Sequence, residues 1–373
     1  MSGKISLERI VLALAAPVFA LVVSLVLTSL VLLGSGDPPL KTFQLMLDYG
    51  TQPRSLVLTL NNATIYYLSA LAVAVGFRMN LFNIGVDGQY RLAAMLSAAL
   101  GGAISLPGPL HVLVIVLTAM LVGGMWAGIA GLLKAARGVS EVISTIMLNF
   151  IATGVVAYLL NTERLAVQVA GSNNIGTKPI AESGRIPGLP LVPGTNAKVF
   201  GFIVFAALCG VAFHVLLNRT RFGFDLRATG RSETAAVAAG VNVRRMIVVT
   251  MVISGAAAGL VGMPQLLGAS YSYSLDFPSG LGFTGIAIAL LGRNHPVGIA
   301  FAAILWGFLG NSAQILDLEG IPKEIVTIMQ ATIVLSVVVA YELVRRYRLV
   351  LEQRRVGREL AAGSPTEPEG VRA

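Results

Sequence analysis

The stretch Ile10-Val-Leu-Ala-Leu-Ala-Ala-Pro-Val-Phe-Ala-Leu-Val-Val-Ser-Leu-Val-Leu-Thr-Ser-Leu-Val-Leu-Leu33 contains no charged residue. As a helix it would be about 36 Å long at about 1.5 Å per residue, enough to cross a hydrocarbon core of about 30 Å. Lys4 and Arg9 precede it, as in the n-region of a signal peptide. The apolar stretch is too long for a cleaved h-region and continues well past Ala20, so it reads as a retained signal-anchor helix.

Working outward, further apolar runs occupy positions 55–75, 89–106, 110–133, 142–160, 199–217, 246–267, 283–291, 297–316 and 324–343. The expected fold is all-α: a polytopic helical bundle of about ten membrane helices. The run 283–291 is short for a crossing, so it is either re-entrant or begins earlier, near Phe277. Composition agrees. Hydrophobic residues make up 55% of the chain and charged residues 12%, about half the charged share of a soluble domain. A mean hydropathy of +0.79 leaves too little polar surface for a soluble fold. The 41 glycines suit close helix packing, with Gly124-x-x-x-Gly128 and Gly255-x-x-x-Gly259 as candidate contacts.

Charge gives the orientation. With both termini cytoplasmic and an even number of crossings, Lys and Arg divide 20 inside to 7 outside, the asymmetry expected of cytoplasmic loops. The net charge of +9 is therefore a topological signal and not a nucleic-acid stripe. Residues 1–358 read as one transmembrane domain. Within it, 161–198 is an external loop rich in Gly, Pro, Asn and Ser, including Gly171-Ser172-Asn173-Asn174, and 218–245 is an internal loop. The tail 359–373 has too few apolar residues to bury and is expected to be disordered.

Catalytic chemistry is not in view. One cysteine, Cys209, and three scattered histidines make neither a disulfide nor a metal cluster. No G-x-x-x-x-G-K-[ST] occurs, so the chain carries no recognisable nucleotide-hydrolysing site. Gly280-x-Gly282-x-x-Gly285 matches a dinucleotide fingerprint formally but lacks the surrounding βαβ unit; these glycines read better as the opening of a membrane half-helix. No catalytic residue, metal or cofactor is expected.

Two polar segments stand out. In the internal loop, Ser232 can cap a short helix, Glu233 suits its positive end, Thr234, Ala235 and Ala236 continue it, and Gly240 can take the left-handed closing position. Two turns are marginal alone in water, so the segment is either a solvated turn or a slim rod docked in a partner's cleft. Between the second and third runs, Asn80, Asn83, Gly85, Asp87, Gly88 and Gln89 place turn formers and amides beside the membrane. Asp87 either pairs locally with Arg91 at i, i+4 or contacts a solute.

Four segments then carry a likeness. Phe82-Asn-Ile-Gly-Val-Asp-Gly-Gln89, Val142-Ile-Ser-Thr-Ile-Met-Leu-Asn149, the stretch from Arg227-Ala-Thr-Gly to Gly240-Val-Asn-Val-Arg244, and Gly282-Phe-Thr-Gly-Ile-Ala-Ile-Ala-Leu-Leu-Gly292 with His295-Pro296 together resemble the permeases of binding-protein-dependent ABC importers. The resemblance is to the branched-chain amino acid and simple-sugar permease family, within it most of all to the nucleoside type. There Asn-Ile-Gly-x-Glu-Gly-Gln is usual, and this chain has Asp87 in place of Glu.

The resemblance implies a multi-pass cell-membrane permease that pairs with a second permease chain, identical or different. A cytoplasmic ABC ATPase would dock below and an external solute-binding lipoprotein would deliver solute above. ATP hydrolysis would belong to the ATPase chain. Glu233, Thr234, Ala235, Ala236 and Gly240 would lie in the coupling helix. The solute, a nucleoside or next a simple sugar, would pass residues drawn from Asn62, Asn83, Asp87, Gln89 and Asn149, with Tyr271, Tyr273 and Phe283 near the external mouth. Asn62 and Asn149 have an equally good reading as helix-to-helix hydrogen bonds. The rival class is an ion-coupled secondary transporter, which usually places charged relays within its spans. Here the spans carry mostly amides: Asn61, Asn62, Asn149, Gln265, Asn311, Gln314 and Gln330.

Overall fold

The computed structural model describes residues 7–168 and 174–362. Gly171, Ser172 and Asn173 of the expected turn, and positions 363–373 of the expected tail, lie outside the described residues. The chain forms two compact units.

The first unit pairs α1 (Leu7–Ser35) with α14 (Glu324–Ala362). Ser24 Oγ and Thr332 Oγ1 meet at 3.0 Å, and Thr28 of α1 and Ser336 of α14 are also buried. Helix α14 runs past position 359, so the first residues of the expected tail are helical.

The second unit, residues 40–323, contains α2 (Pro39–Gly50), α3 (Pro53–Phe77), α4 (Val86–Ala103), α5 (Gly108–Arg137) and α6 (Glu141–Leu159). After the loop come α7 (Phe202–Arg219), α8 (Arg221–Arg231), α9 (Glu233–Ala238) and α10 (Val243–Gly259). Helix α10 continues through α11 (Met263–Gln265) and a π turn at Leu266–Ser270, and α12 (Leu281–Leu291) and α13 (Pro296–Leu318) follow. Proline sits in the first turn of α3, α5 and α13, where its missing N–H costs nothing.

The tightest seam joins α5 and α10, and glycine makes it. A Cβ on Gly123 would run into the Gly255 carbonyl, and one on Gly259 into the Ala119 carbonyl, so the two backbones touch directly. The expected Gly255/Gly259 contact is present, but its partners on α5 are Gly123 and Ala119. Gly124 and Gly128 face Val252 more loosely.

Three points refine the sequence expectations. Every expected span falls on a helix, but seven helices among the described residues are long and apolar enough to cross a membrane, or eight if Leu21–Ser35 and Pro39–Gly50 count as one broken span. Helix α4 carries Asp87, Gln89 and Arg91 in its first turns, too polar for that test, and α12 has 11 residues, only about 16 Å. The external loop is not wholly irregular: β1 (Ala166–Gln168) pairs antiparallel with β2 (Ile175–Thr177), and a 3₁₀ turn follows at Glu182–Gly184. The internal loop holds α8 as well as α9, because Thr220 caps a second helix by accepting from Gly223 N–H at 3.0 Å.

Loops gather into two groups. Arg78 donates to the Asn294 carbonyl at 2.7 Å and Asn80 to that of Gly230 at 2.8 Å, joining three segments that the charge pattern assigns inside. On the other side, Thr177 and Ile180 N–H donate to the Tyr273 and Tyr271 carbonyls at 2.8 Å, and Ile186 N–H to Leu267 at 2.9 Å. Residues 271–294 therefore run from one group to the other, unwound until Gly280 and helical only in the second half. The short eighth segment begins at Leu281, not near Phe277.

Candidate translocation site

The unwound stretch is fixed by long-range contacts. Tyr271 and Gly280 adopt left-handed conformations at φ 52° and 78°. The Arg185 guanidinium lies 4.4 Å from the Tyr271 ring centroid, and the Tyr273 and Phe277 rings are 4.8 Å apart. Tyr90 Oη donates to the Pro278 carbonyl at 2.6 Å, and Ser69 Oγ to that of Leu281 at 2.7 Å, pinning the start of α12. A Cβ on Gly282 would stand 2.7 Å from the Asp87 backbone nitrogen, so glycine is required for α12 to open against α4.

The Asn83–Gln89 turn is locked. Asn83 Nδ2 donates to Gln89 Oε1 and to Ser254 Oγ at 2.9 Å each. Gln89 Nε2 returns a bond to Asn83 Oδ1 at 2.8 Å, which also accepts from Gly85 N–H at 3.1 Å. Ser254 passes its own proton to the Ala72 carbonyl at 2.7 Å. Both amides are fully buried. Asn149 on α6 works similarly: its Oδ1 accepts from Gly88 N–H at 2.8 Å and its Nδ2 donates to the Ile84 carbonyl at 2.9 Å. Asn83, Gln89 and Asn149 thus hold the turn, which leaves them little capacity for a solute.

Asp87 and Arg91 differ. Both are half-buried, and Asp87 forms no ion pair among the described residues; the expected i, i+4 bridge is absent. The one hydrogen bond to Asp87 by geometry comes from Gly282 N–H to Oδ1 at 3.5 Å, the outer limit. Tyr90 is close, but its proton is committed to Pro278. Arg91 Nη1 donates to Thr153 Oγ1 at 3.3 Å, its guanidinium also meets the Tyr273 hydroxyl, and Nε has no partner among the described residues. Thr153 of α6, which accepts from Arg91, is exposed, as are Phe150 of the same helix and Phe283, the neighbour of Gly282 on α12.

Depth follows from helix length. Asp87 lies about 21 Å along α4 from Gly101, whose carbonyl meets His111 Nε2 near the external loop. It lies about 16 Å of α12 from the Arg78–Asn294 contact. Along the two helices, Asp87 thus sits roughly midway between the two loop groups.

The remaining expected residues are dispersed. Asn62 is half-buried and forms no hydrogen bond among the described residues, whereas its neighbour Asn61 binds the Lys198 carbonyl at 3.3 Å and Phe200 N–H at 2.7 Å. Tyr273 is buried and Tyr271 half-buried under the external loop, so neither offers a free ring face. Phe283 is exposed and lies one residue past Gly282, in the first turn of α12. A cavity of about 670 Å³ opens elsewhere, between α3, α7 and α13. Its walls, among them Leu60, Ile203, Val211 and Phe301, are almost wholly apolar and give a polar solute few partners.

Helix α9 follows its local code. Ser232 Oγ accepts from Ala235 N–H at 3.3 Å, Glu233 occupies the first turn, and Gly240 closes at φ 83°. Ala235 and Thr234 are exposed, but Ala236 is buried on the inner face, so it supports the segment and does not form its outward surface. Sequence reasoning missed Val237, which stands 61% exposed at the centre of that surface. Arg219, Arg221, Arg231, Arg244 and Arg245 are exposed around it.

The comparisons with known proteins cover most of the chain. The family model described as branched-chain amino acid transport system / permease component matches residues 55–340. A guanosine ABC transporter permease of Bacillus subtilis is 39% identical over 76% of this chain and 80% of its own. A nucleoside ABC transporter permease of Lactococcus lactis is 32% identical over 87% and 90%. A glucose ABC transporter permease of Haloferax volcanii is 30% identical over 94% and 93%. This chain is a multi-pass membrane protein and belongs to the branched-chain amino acid transport system / permease component family.

Proposed function

We propose that the chain is the permease subunit of a binding-protein-dependent ABC importer, moving a nucleoside first or a simple sugar next, with ATP hydrolysis in a separate partner chain. The likeness to the Bacillus guanosine permease across four fifths of that protein's length carries the reading. Both termini lie in the cytoplasm, an external binding protein delivers the solute, and α9 transmits the ATPase stroke. On α9, Glu233, Thr234, Ala235 and Gly240 belong to the exposed segment with Val237, while Ala236 supports it from below.

The solute path runs over Asp87, Arg91, Thr153 and Phe283. A charged side chain near mid-membrane costs at least about 2.5–3.5 kcal/mol against lipid. This outward face of the isolated chain therefore requires cover, and a second permease chain supplies it, enclosing the path between the two. An unwound stretch followed by a half-helix is also the backbone arrangement that transporters use at mid-membrane sites. The amide lock and Asn149 shape the wall, and Asn62 offers a free amide farther along.

The secondary-transporter reading uses the same two charges as an ion relay. ATP dependence separates the two. The assembly, reconstituted with its ATPase and binding protein in liposomes, should accumulate labelled nucleoside only with ATP. Accumulation driven by an ion gradient without ATP would favour the rival.

A further inference from the structure

We infer that Asp87 is the solute-selecting residue of this permease and that its carboxylate recognises a pair of neighbouring hydroxyl groups, such as the 2′ and 3′ hydroxyls of a ribonucleoside. The inference rests on the import reading above and assigns the contact at the path's centre. An ionised carboxylate only accepts hydrogen bonds and has about four lone-pair positions. Asp87 uses one of them, on a donor 3.5 Å away. Its neighbours are engaged elsewhere: Tyr90 donates to Pro278, Gly88 N–H to Asn149, Gln89 Nε2 to Asn83 and Arg91 Nη1 to Thr153. The Asp87 carboxylate is thus poor in donors on the face that the fold leaves open.

Arg91 sets the second requirement. It lies one helix turn from the carboxylate, closes no ion pair with it among the described residues and bonds Thr153 instead; a net-neutral solute leaves the balance of the two charges undisturbed. A carboxylate with unused lone pairs, midway between the two loop groups, selects a ligand that brings two hydrogens to it at once. Adjacent hydroxyls on a sugar ring do this in one plane, and hydrogen bonds to a charged group are about twice as strong as neutral ones. Guanosine and other ribonucleosides carry that cis diol, and glucose carries vicinal hydroxyls, so the solutes named for the relatives present neighbouring hydroxyls although their remaining groups differ. A contact to the diol therefore fits one site to the whole group, with the remaining selection left to other surfaces. Arg91 positions and balances Asp87; its guanidinium is anchored on Thr153.

The test is uptake by the complete assembly in liposomes, with guanosine and 2′-deoxyguanosine each at saturating concentration. Native and Asp87→Asn permeases are compared with the same binding protein. The double ratio, guanosine over deoxyguanosine in native divided by that in Asp87→Asn, removes the binding protein's own preference. Asn keeps the side chain's shape and an acceptor for Gly282, and it replaces one acceptor oxygen with a donor. The expected result is a guanosine rate about tenfold lower in Asp87→Asn and a double ratio near 10, from the loss of a charge-assisted hydrogen bond. Asp87→Ser, with an unchanged elution profile and melting temperature, should give the same direction. A double ratio near one, or full guanosine uptake by Asp87→Asn, overturns the inference. If the native assembly moves neither guanosine nor glucose, the import reading itself has failed.

Discussion

The turn before α4 and its first residues carry two sets of polar residues that behave oppositely. Asn83 and Gln89 are sealed, with the amide groups bonded to each other, to Ser254 and to backbone. Asp87 and Arg91, on the neighbouring face, are half-exposed and short of partners. One short segment, residues 83–91, thus hosts a hydrogen-bonded lock and a charged pair short of partners. Saturation separates the two sets: Asn83, with both donors and both acceptor positions filled, specifies a turn, whereas the Asp87 carboxylate keeps acceptor positions open.

Removing the lock should have the largest effect. Asn83→Ala strands Gln89, Ser254 and Gly85 N–H, at about 1–3 kcal/mol for each group left unpartnered. The apparent melting temperature in detergent should fall strongly, while any permease that survives keeps its preference among solutes. Asp87→Asn should do the reverse, and a variant of the lock that changed solute preference with normal stability would erase the distinction.

Next comes Gly282→Val, which forces two methyl groups against the Asp87 backbone. Overpacking of this kind costs about 1–3 kcal/mol and should lower both stability and uptake. Unchanged uptake would show that α12 does not need to meet α4.

On the cytoplasmic side, Val237→Glu should leave the melting temperature unchanged, because the residue is exposed, and weaken pull-down of the ATPase and ATP-driven uptake together. Ala236→Trp should instead lower the melting temperature, since Ala236 is 2% exposed. If Val237→Glu assembles and transports normally, α9 is only a solvated turn.

The smallest effect belongs to Asn62→Ala. With no hydrogen bond to lose, stability should stay within about 0.5 kcal/mol, and uptake should fall a few-fold at most. A large drop in melting temperature would mean that Asn62 is a second lock.

These contrasts also mark what the sequence can tell. Helix α9 was legible down to Ser232 and Gly240 because caps act within a few residues of the positions they terminate. The Gly280–Gly285 stretch was legible as a half-helix opening, since a left-handed residue and a close approach both call for glycine. The path was not. Asn83, Asp87, Gln89 and Asn149 look alike in a sequence, and only contacts with Ser254, Gly282 and Ile84, from across the chain, sort locks from open groups. The burial of Ala236 beneath α9 likewise depends on how α8 and α10 close around it, which no local pattern encodes.

The central claim is ATP-driven import through this chain. Proteoliposomes holding the permease, its second permease chain and the ATPase, with binding protein outside and ATP trapped inside, should accumulate labelled guanosine above the external concentration. Accumulation should stop when the ATPase is inactivated. Accumulation that persists without ATP hydrolysis, or transport of leucine in place of guanosine and glucose, would contradict the account.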